Sequence, residues 1–239
     1  MNAKILSIVV ALAVVAAVAV SMNSGGGDAV TEPIDLQIDD MQELAAMAQG
    51  IHLGNDDADI TILEFADFQC PGCMAFAGQV KPQLDVGYIE TGTVKFVFYD
   101  FPLTSIHPHA FLAARAARCA NDQGMFWEYH DELFRNQTAW SLSASPPVGA
   151  FEDFAARVGL DQGDFSSCLR SDAHAQTVSA TMQLGQGLGV TGTPTVLISR
   201  GNGQFRQVGA PTIGEYYPAI QAAIEELQGE MAAEAGGMQ

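Results

Sequence analysis

Cys70 and Cys73 stand in the spacing C-x-x-C at the end of the run Ile-Leu-Glu-Phe-Ala-Asp-Phe-Gln-Cys-Pro-Gly-Cys, residues 62–73. A cysteine attacks only as its thiolate, and the start of a helix favours that anion through unpaired N–H groups and the positive end of the macrodipole. An apolar run with strand propensity followed by Pro71 predicts such a helix start directly behind Cys70. Pro71 suits the first helical position, where its missing N–H costs nothing and its φ is already helical. Gly72 has no side chain and lets a partner chain come close. Cys73, about one turn deeper, is placed to attack a mixed disulfide formed at Cys70. The chemistry this pattern points to is thiol–disulfide exchange.

The same spacing also makes half of a zinc site. The other two cysteines, Cys119 and Cys168, are far apart and neither belongs to a second C-x-x-C, so a four-cysteine zinc ribbon does not assemble. His52, His109, His130 and His174 show no metal spacing on one face. No metal and no cofactor are expected. Gly187-Leu188-Gly189-Val190-Thr191-Gly192 spells G-x-G-x-x-G. A dinucleotide site needs a strand before that motif and a helix after it, and here the order is reversed.

Those cysteines must be held by the elements around them. Residues 61–66 read as a buried strand and 71–90 as a helix with Phe76, Val80, Leu84 and Tyr88 at helical spacing, kinked at Pro82. Residues 93–99 form a second strand, and strand–helix–strand implies a right-handed parallel pair. Helical patterns fill 108–121, 125–135, 147–158 and 163–184, their aromatics read as core. Residues 195–199 and 204–208 flank Arg200-Gly201-Asn202-Gly203 as a hairpin, and 212–228 closes as an amphipathic helix with Tyr216, Ile220, Ile224 and Leu227 on one side. The order β-α-β, helices, β-β-α predicts an α/β chain with a thioredoxin-like fold and an inserted helical domain of about 80 residues, more than an ordinary connection needs.

Ten basic against 28 acidic residues, net −18, argue against nucleic acid and against polybasic docking on anionic lipid. Residues 5–22 carry no charge and follow Lys4, which suits a long signal peptide or a membrane anchor, either of which exports the rest of the chain. Export explains how four cysteines are kept oxidised or cycling. The expected organisation is a leader or anchor at 1–22, an acidic linker at 23–50 with one short helix at 40–48, a folded domain at 51–228 with its insertion at about 104–188, and a flexible tail at 229–239.

Four segments resemble the DsbA family of extracytoplasmic disulfide oxidoreductases, in the branch called thioredoxin-like family four. They are Glu64-Phe65-Ala66-Asp67-Phe68-Gln69-Cys70-Pro71-Gly72-Cys73, then Asp100-Phe101-Pro102-Leu103 with His107, Cys119-Ala120 with Gln123-Gly124 and Phe126-Trp127, and Gly189-Val190-Thr191-Gly192-Thr193-Pro194-Thr195. The resemblance implies a nucleophile at Cys70, a resolving thiol at Cys73 and a cis-proline at Pro194. It also implies a buried acid at Glu64, whose raised pKa lets it take the proton of the resolving thiol; a solvated acid is the alternative. A cis Thr193–Pro194 bond would hold residue 193 against the cysteine pair and offer its N–H and C=O to an extended substrate. Relatives often carry histidine or tyrosine where this chain has Gly72, so a strongly oxidising potential does not simply carry over.

Cys119 and Cys168 lie on different insertion helices; a structural disulfide is the favoured reading, with a second redox relay or free thiols as alternatives. His107 reads as a helix cap or packing residue. The expected function is an exported thiol:disulfide oxidoreductase acting on reduced or misoxidised exported proteins and reoxidised by a membrane partner. A reductase or isomerase is the nearest rival, and a redox-inert chaperone or metal-binding module comes from a different class.

Overall fold

The structure, a computed structural model, describes residues 29–201 and 203–237. The expected leader therefore lies outside the described residues, as do residues 23–28 and the last two of the tail. A five-stranded sheet runs in the order β1 (Ile51–Gly54), β3 (Val94–Asp100), β2 (Ile60–Ala66), β4 (Thr195–Ser199), β5 (Arg206–Val208). β2 and β3 are parallel; β1 pairs antiparallel with β3, β4 with β2, and β5 with β4. Strand β2 lies at the centre, which its apolar sequence permits because both of its faces are covered.

Side chains of a strand alternate between faces, and that parity places Glu64. Ile62 and Ala66 join Phe96, Phe98, Val196, Ile198 and both free cysteines in the larger core, whereas Leu63 and Phe65 pack with Val97, Phe101, Val190 and Leu197 behind the sheet. Glu64 shares the parity of Ile62 and so points to the cysteine side, opposite Phe98 and Val196.

Helix α2 (Pro71–Gln79) breaks at Val80 and continues as α3 (Lys81–Leu84) and a wider π-type turn at Asp85–Ile89, a bend at the position of Pro82. Between β3 and β4 come α4 (Ala110–Asn121), α5 (Phe126–Arg135), α6 (Gln137–Trp140), α7 (Val148–Val158), α8 (Gln162–Leu169) and α9 (Ala175–Gly187). Small side chains let α4 run through the centre of this insertion, buried from Ala110 to Ala120.

Four sequence expectations change. The 163–184 helix is two helices, α8 and α9, because Arg115 inside the core draws the carbonyls of Ala173 and Ser171 out at 2.9 and 2.6 Å, and His174 turns at φ 61°. The acidic linker is docked from residue 29 onward. Arg115 also binds the Val30 carbonyl and Arg118 that of Gln49, while Leu36, Ile38, Leu44 and Met47 pack on Ala180 and Leu184 of α9. Its short helix, α1 (Met41–Met47), is capped by Asp40. The strand β1, unread in the sequence, pairs next to it. Finally the last helix, Tyr216–Gly237, runs through the tail expected to be flexible, with Glu226 paired to Arg206 and Glu234 to Arg200 along it.

Candidate active site

Strand β2 ends at Ala66 and delivers Cys70 as the N-cap of α2, with extended backbone (φ −75°, ψ 123°) and Pro71 at the next position. The loop is held at several points. Cys70 N–H donates to the Asp67 carbonyl at 3.0 Å, and the buried Gln137 of α6 donates its Nε2 to the carbonyls of Phe68 (2.8 Å) and Cys70 (2.9 Å). Gln69 Nε2 donates to Ser141 O at 2.7 Å, and Gln69 Oε1 accepts from His109 N–H at 2.8 Å. The insertion thus fixes the backbone on which the nucleophile stands.

Cys70 and Cys73 are both free thiols, 9% and 0% exposed. The Cys70 thiol is held down at about 5, chiefly by a hydrogen bond from the Cys73 thiol, against the opposing effect of burial. The Thr193 hydroxyl, which has no other partner among the described residues, and the backbone N–H groups of Cys73 and Gly72 at the helix start add to it. Burial and the negative charges of Cys70 and Glu64 push Cys73 well up, although the Asp67 N–H reaches its sulfur at 3.4 Å. One sulfur is an anion at neutral pH and its neighbour a thiol.

Thr193–Pro194 is a cis bond, and the Thr193 carbonyl lies 3.4 Å from Cys70 Sγ. That contact is a hydrogen bond only while Cys70 keeps its proton. A Cβ at Gly72 would sit 3.2 Å from Pro194 Cδ, so any side chain between the cysteines presses on this loop. Glu64 is 2% exposed, and burial raises its carboxyl to about 8, opposed by the charge of Lys81 and aided by the Cys70 thiolate. It is a neutral acid at pH 7. Lys81 itself is buried, paired with Asp85 at 2.9 Å and seated over the Trp127 ring.

Several residues at the site carried no role in the sequence reading. Tyr216 packs edge-on against Phe76 and donates its hydroxyl to Pro194 O at 3.4 Å. Gln137 and Tyr216 approach from distant segments and Lys81 from the start of α3, and no local pattern marks them. His107 is neither a cap nor filler: its Nδ1 is 2.7 Å from the buried Asp67 carboxylate, and α4 starts three residues later with His109 at its N-cap. Cys119 and Cys168 are bonded to each other, their Cα atoms 5.8 Å apart. His174 stands beside them, but two bonded sulfurs are not free ligands for a metal.

A family profile described as Thioredoxin matches residues 47–207. The Na(+)/H(+) antiporter NhaA 3 of Salinispora tropica is 33% identical over 146 residues, which make up 61% of this chain and 21% of the antiporter. The chain thus spans about a fifth of that relative's length. A probable disulfide bond formation protein D of Bacillus cereus is 30% identical over 160 residues, covering 66% of this chain and 73% of that protein. Among solved structures, oxidised BdbD of Bacillus subtilis superposes with a TM-score of 0.64 at 24% identity, over 84% of this chain and 98% of that one. The profile spans the Cys70–Cys73 loop and the helical insertion, the relative and the fold agree with it, and the chain belongs to the thioredoxin family, in its DsbA-like branch.

Proposed function

We propose that this protein is an extracytoplasmic thiol:disulfide oxidoreductase that passes a Cys70–Cys73 disulfide to reduced or misoxidised exported proteins and is reoxidised by a membrane redox partner. The observation that carries this reading is the split between the two sulfurs, one held near 5 and the other pushed well up. A stabilised thiolate favours the reduced pair, which makes its disulfide an oxidant.

In the cycle a substrate thiolate attacks Cys70 of the disulfide; the Cys70–Cys73 bond breaks and Cys73 leaves as a thiolate. Glu64, neutral at pH 7 and on the same side of the sheet, supplies the proton that Cys73 takes. The substrate's second thiolate then attacks the substrate sulfur of the mixed disulfide, forming the substrate disulfide and releasing Cys70 as a thiolate. Two electrons pass to the enzyme pair; of the two substrate thiol protons one replaces the proton Glu64 gave to Cys73 and the other goes to solvent, Cys70 staying a thiolate, and the membrane partner removes the electrons. Thr193 and Pro194 line the place where an extended substrate would pair with backbone, while Pro71 and Gly72 keep the helix start open to it. The uncharged residues 5–22 and the Cys119–Cys168 bond support export.

The test is the potential of the Cys70–Cys73 couple against glutathione, with Cys73→Ser as a trap. A value toward about −120 mV and a mixed disulfide accumulating at Cys70 support the proposal. A value near about −270 mV makes the protein a reductase. Stoichiometric metal uptake, with activity indifferent to Cys70→Ser, would make it a binding module instead.

A further inference from the structure

Asp122 and His174 stand against the Cys119–Cys168 bond, and the chemistry at Cys70 uses neither. Asp122 follows Cys119 by three residues and so shares its side of α4, where it caps the C-terminal end. Cys168 lies in the last turn of α8, and His174 is the N-cap of α9. His174 Nε2 is 2.7 Å from Asp122 Oδ2, and that oxygen is 3.8 Å from Cys168 Sγ. The two sulfurs and a ring nitrogen of His174 all lie within 4.8 Å of one another. Helix ends thus bring two sulfurs, an imidazole and a carboxylate to one point, and that is a donor set zinc takes in a tetrahedron. A cavity of about 380 Å³, lined in part by Asp122 and His174, opens beside them as a way in for an ion. The frame does not depend on the bond between the sulfurs. Arg115 of α4 holds the α8–α9 connection by the carbonyls of Ser171 (2.6 Å) and Ala173 (2.9 Å), and Phe165 and Leu169 of α8 share a core with Phe111, Ala116 and Ala120 of α4.

We propose that the reduced form of this cysteine pair is a zinc site with Cys119, Cys168, His174 and Asp122 as its ligands, so that a disulfide ties α4 to α8 and α9 in oxidising surroundings and zinc does so in reducing ones. Bonded to each other, the sulfurs offer a metal nothing. A dithiol reductant opens the bond: its thiolate attacks Cys168 Sγ, since Cys168 is partly exposed and Cys119 is buried, and Cys119 leaves as a thiolate. The second thiolate of the reductant displaces Cys168, the reductant departs as a disulfide, and two electrons stay on the protein sulfurs. Zinc then enters at about 2.3 Å from each sulfur, which part by side-chain rotation while Arg115 keeps the backbone in place. The thiol protons go to solvent, and zinc replaces the proton shared by His174 Nε2 and Asp122 Oδ2. Thiolate and imidazole ligands select zinc over calcium and magnesium, which take oxygen. The site is separate from the chemistry proposed for Cys70, and neither reading depends on the other.

The test uses the full chain carrying Cys70→Ser and Cys73→Ser, which removes the other two thiols. The protein is reduced with a dithiol, freed of it, and titrated with cobalt(II) alone and then with zinc(II). One equivalent of cobalt is expected, with the intense visible bands of a tetrahedral thiolate complex, and zinc displaces it; the oxidised protein takes up neither. His174→Ala and Asp122→Ala are each expected to weaken zinc by about 100-fold or more, since loss of a mere outer partner already costs about 10–100-fold. Zinc binds the folded reduced chain, so it raises the melting temperature of that form and leaves the oxidised form where it was. Where reduction alone unfolds the chain, return of its helical circular dichroism on adding zinc supports the site, and failure to return refutes it. No cobalt uptake by the reduced chain, uptake equal in the oxidised chain, or bands and affinity unmoved in either ligand variant overturns the proposal. Thiol exchange at Cys70 is read separately on the wild-type chain, and its loss would leave the zinc result standing.

Discussion

Replacing Glu64 with Gln is expected to make the protein more stable and less active. Burial raises the Glu64 carboxyl from 4.5 to about 8. A folded state that binds this proton more tightly than the unfolded chain loses stability as pH rises from 4.5 through 8, because the unfolded carboxyl ionises first. At pH 7 the two and a half decades above 4.5, at ~1.4 kcal/mol per decade, put the cost at about 3 kcal/mol. Gln keeps the shape without an ionising proton, and Lys81 keeps its partner Asp85 at 2.9 Å, so no new buried charge is stranded. Melting curves of the reduced proteins between pH 4.5 and 8.5 are expected to coincide at the acid end and separate as pH rises. At pH 7 the variant melts higher by roughly 6–12 °C, at about 2–4 °C per kcal/mol for a chain of this size. Oxidation of a model dithiol peptide slows by about 10²-fold, the low end for loss of an acid–base group. Melting curves that stay parallel across the range refute the buried-acid argument, and unchanged turnover refutes the proton transfer to Cys73.

His130 sets the opposite slope. Ringed by Phe68, Phe98, Phe126, Trp127 and Phe134 with Nε2 unpartnered among the described residues, it is held below 6.5 by burial. The unfolded chain takes up the extra proton, so stability is whole above about 6.5 and drains as pH falls toward the lowered folded value; urea midpoints of His130→Leu are expected to lose that acid slope. Removing the disulfide with Cys119→Ser and Cys168→Ser frees a span of 49 residues and is expected to cost up to ~4 kcal/mol in urea unfolding, while thiol exchange at Cys70 persists. A Cβ at Gly185 would lie 2.7 Å from the Phe101 ring, so Gly185→Ala should cost about 1–3 kcal/mol by overpacking α9 against the loop after β3, read as a lowered melting temperature.

The parts of the fold legible in the sequence are those fixed by neighbours along the chain. Residues 60–66 are apolar enough to be a central strand, Pro71 marks a helix start, Pro82 a bend, and the Gly-rich turn near residue 201 a hairpin. Elements fixed from a distance were not legible. The break between α8 and α9 has neither proline nor glycine at residues 170–174; buried Arg115 of α4 makes it by binding carbonyls there. The acidic composition of residues 29–50 hid Ile38, Leu44 and Met47, which find apolar sockets only once α9 is in place. The C-terminal helix draws on Arg200 and Arg206, whose acidic partners lie 34 and 20 residues further on, as Glu234 and Glu226.

The site divides the same way, and the division bears on how the chemistry is tuned. What sequence shows is the cysteine spacing and the helix start, and these suffice to tell which sulfur is the anion, because the first stands at the tip of α2 and the second inside it. How strongly the anion is held depends also on the Thr193 hydroxyl of the cis-proline loop, while Glu64 acts on Cys73, whose thiol is the first donor to that anion. Gln137 of the insertion holds the Phe68 and Cys70 carbonyls on which that geometry depends. Exchanging the two residues between the cysteines would change only part of this set, since the remaining influences reach Cys70 through space. The insertion therefore supports the redox site, and a chain stripped of α4–α9 would keep its cysteine motif and lose the Gln137 and Ser141 contacts that fix the backbone on which Cys70 stands.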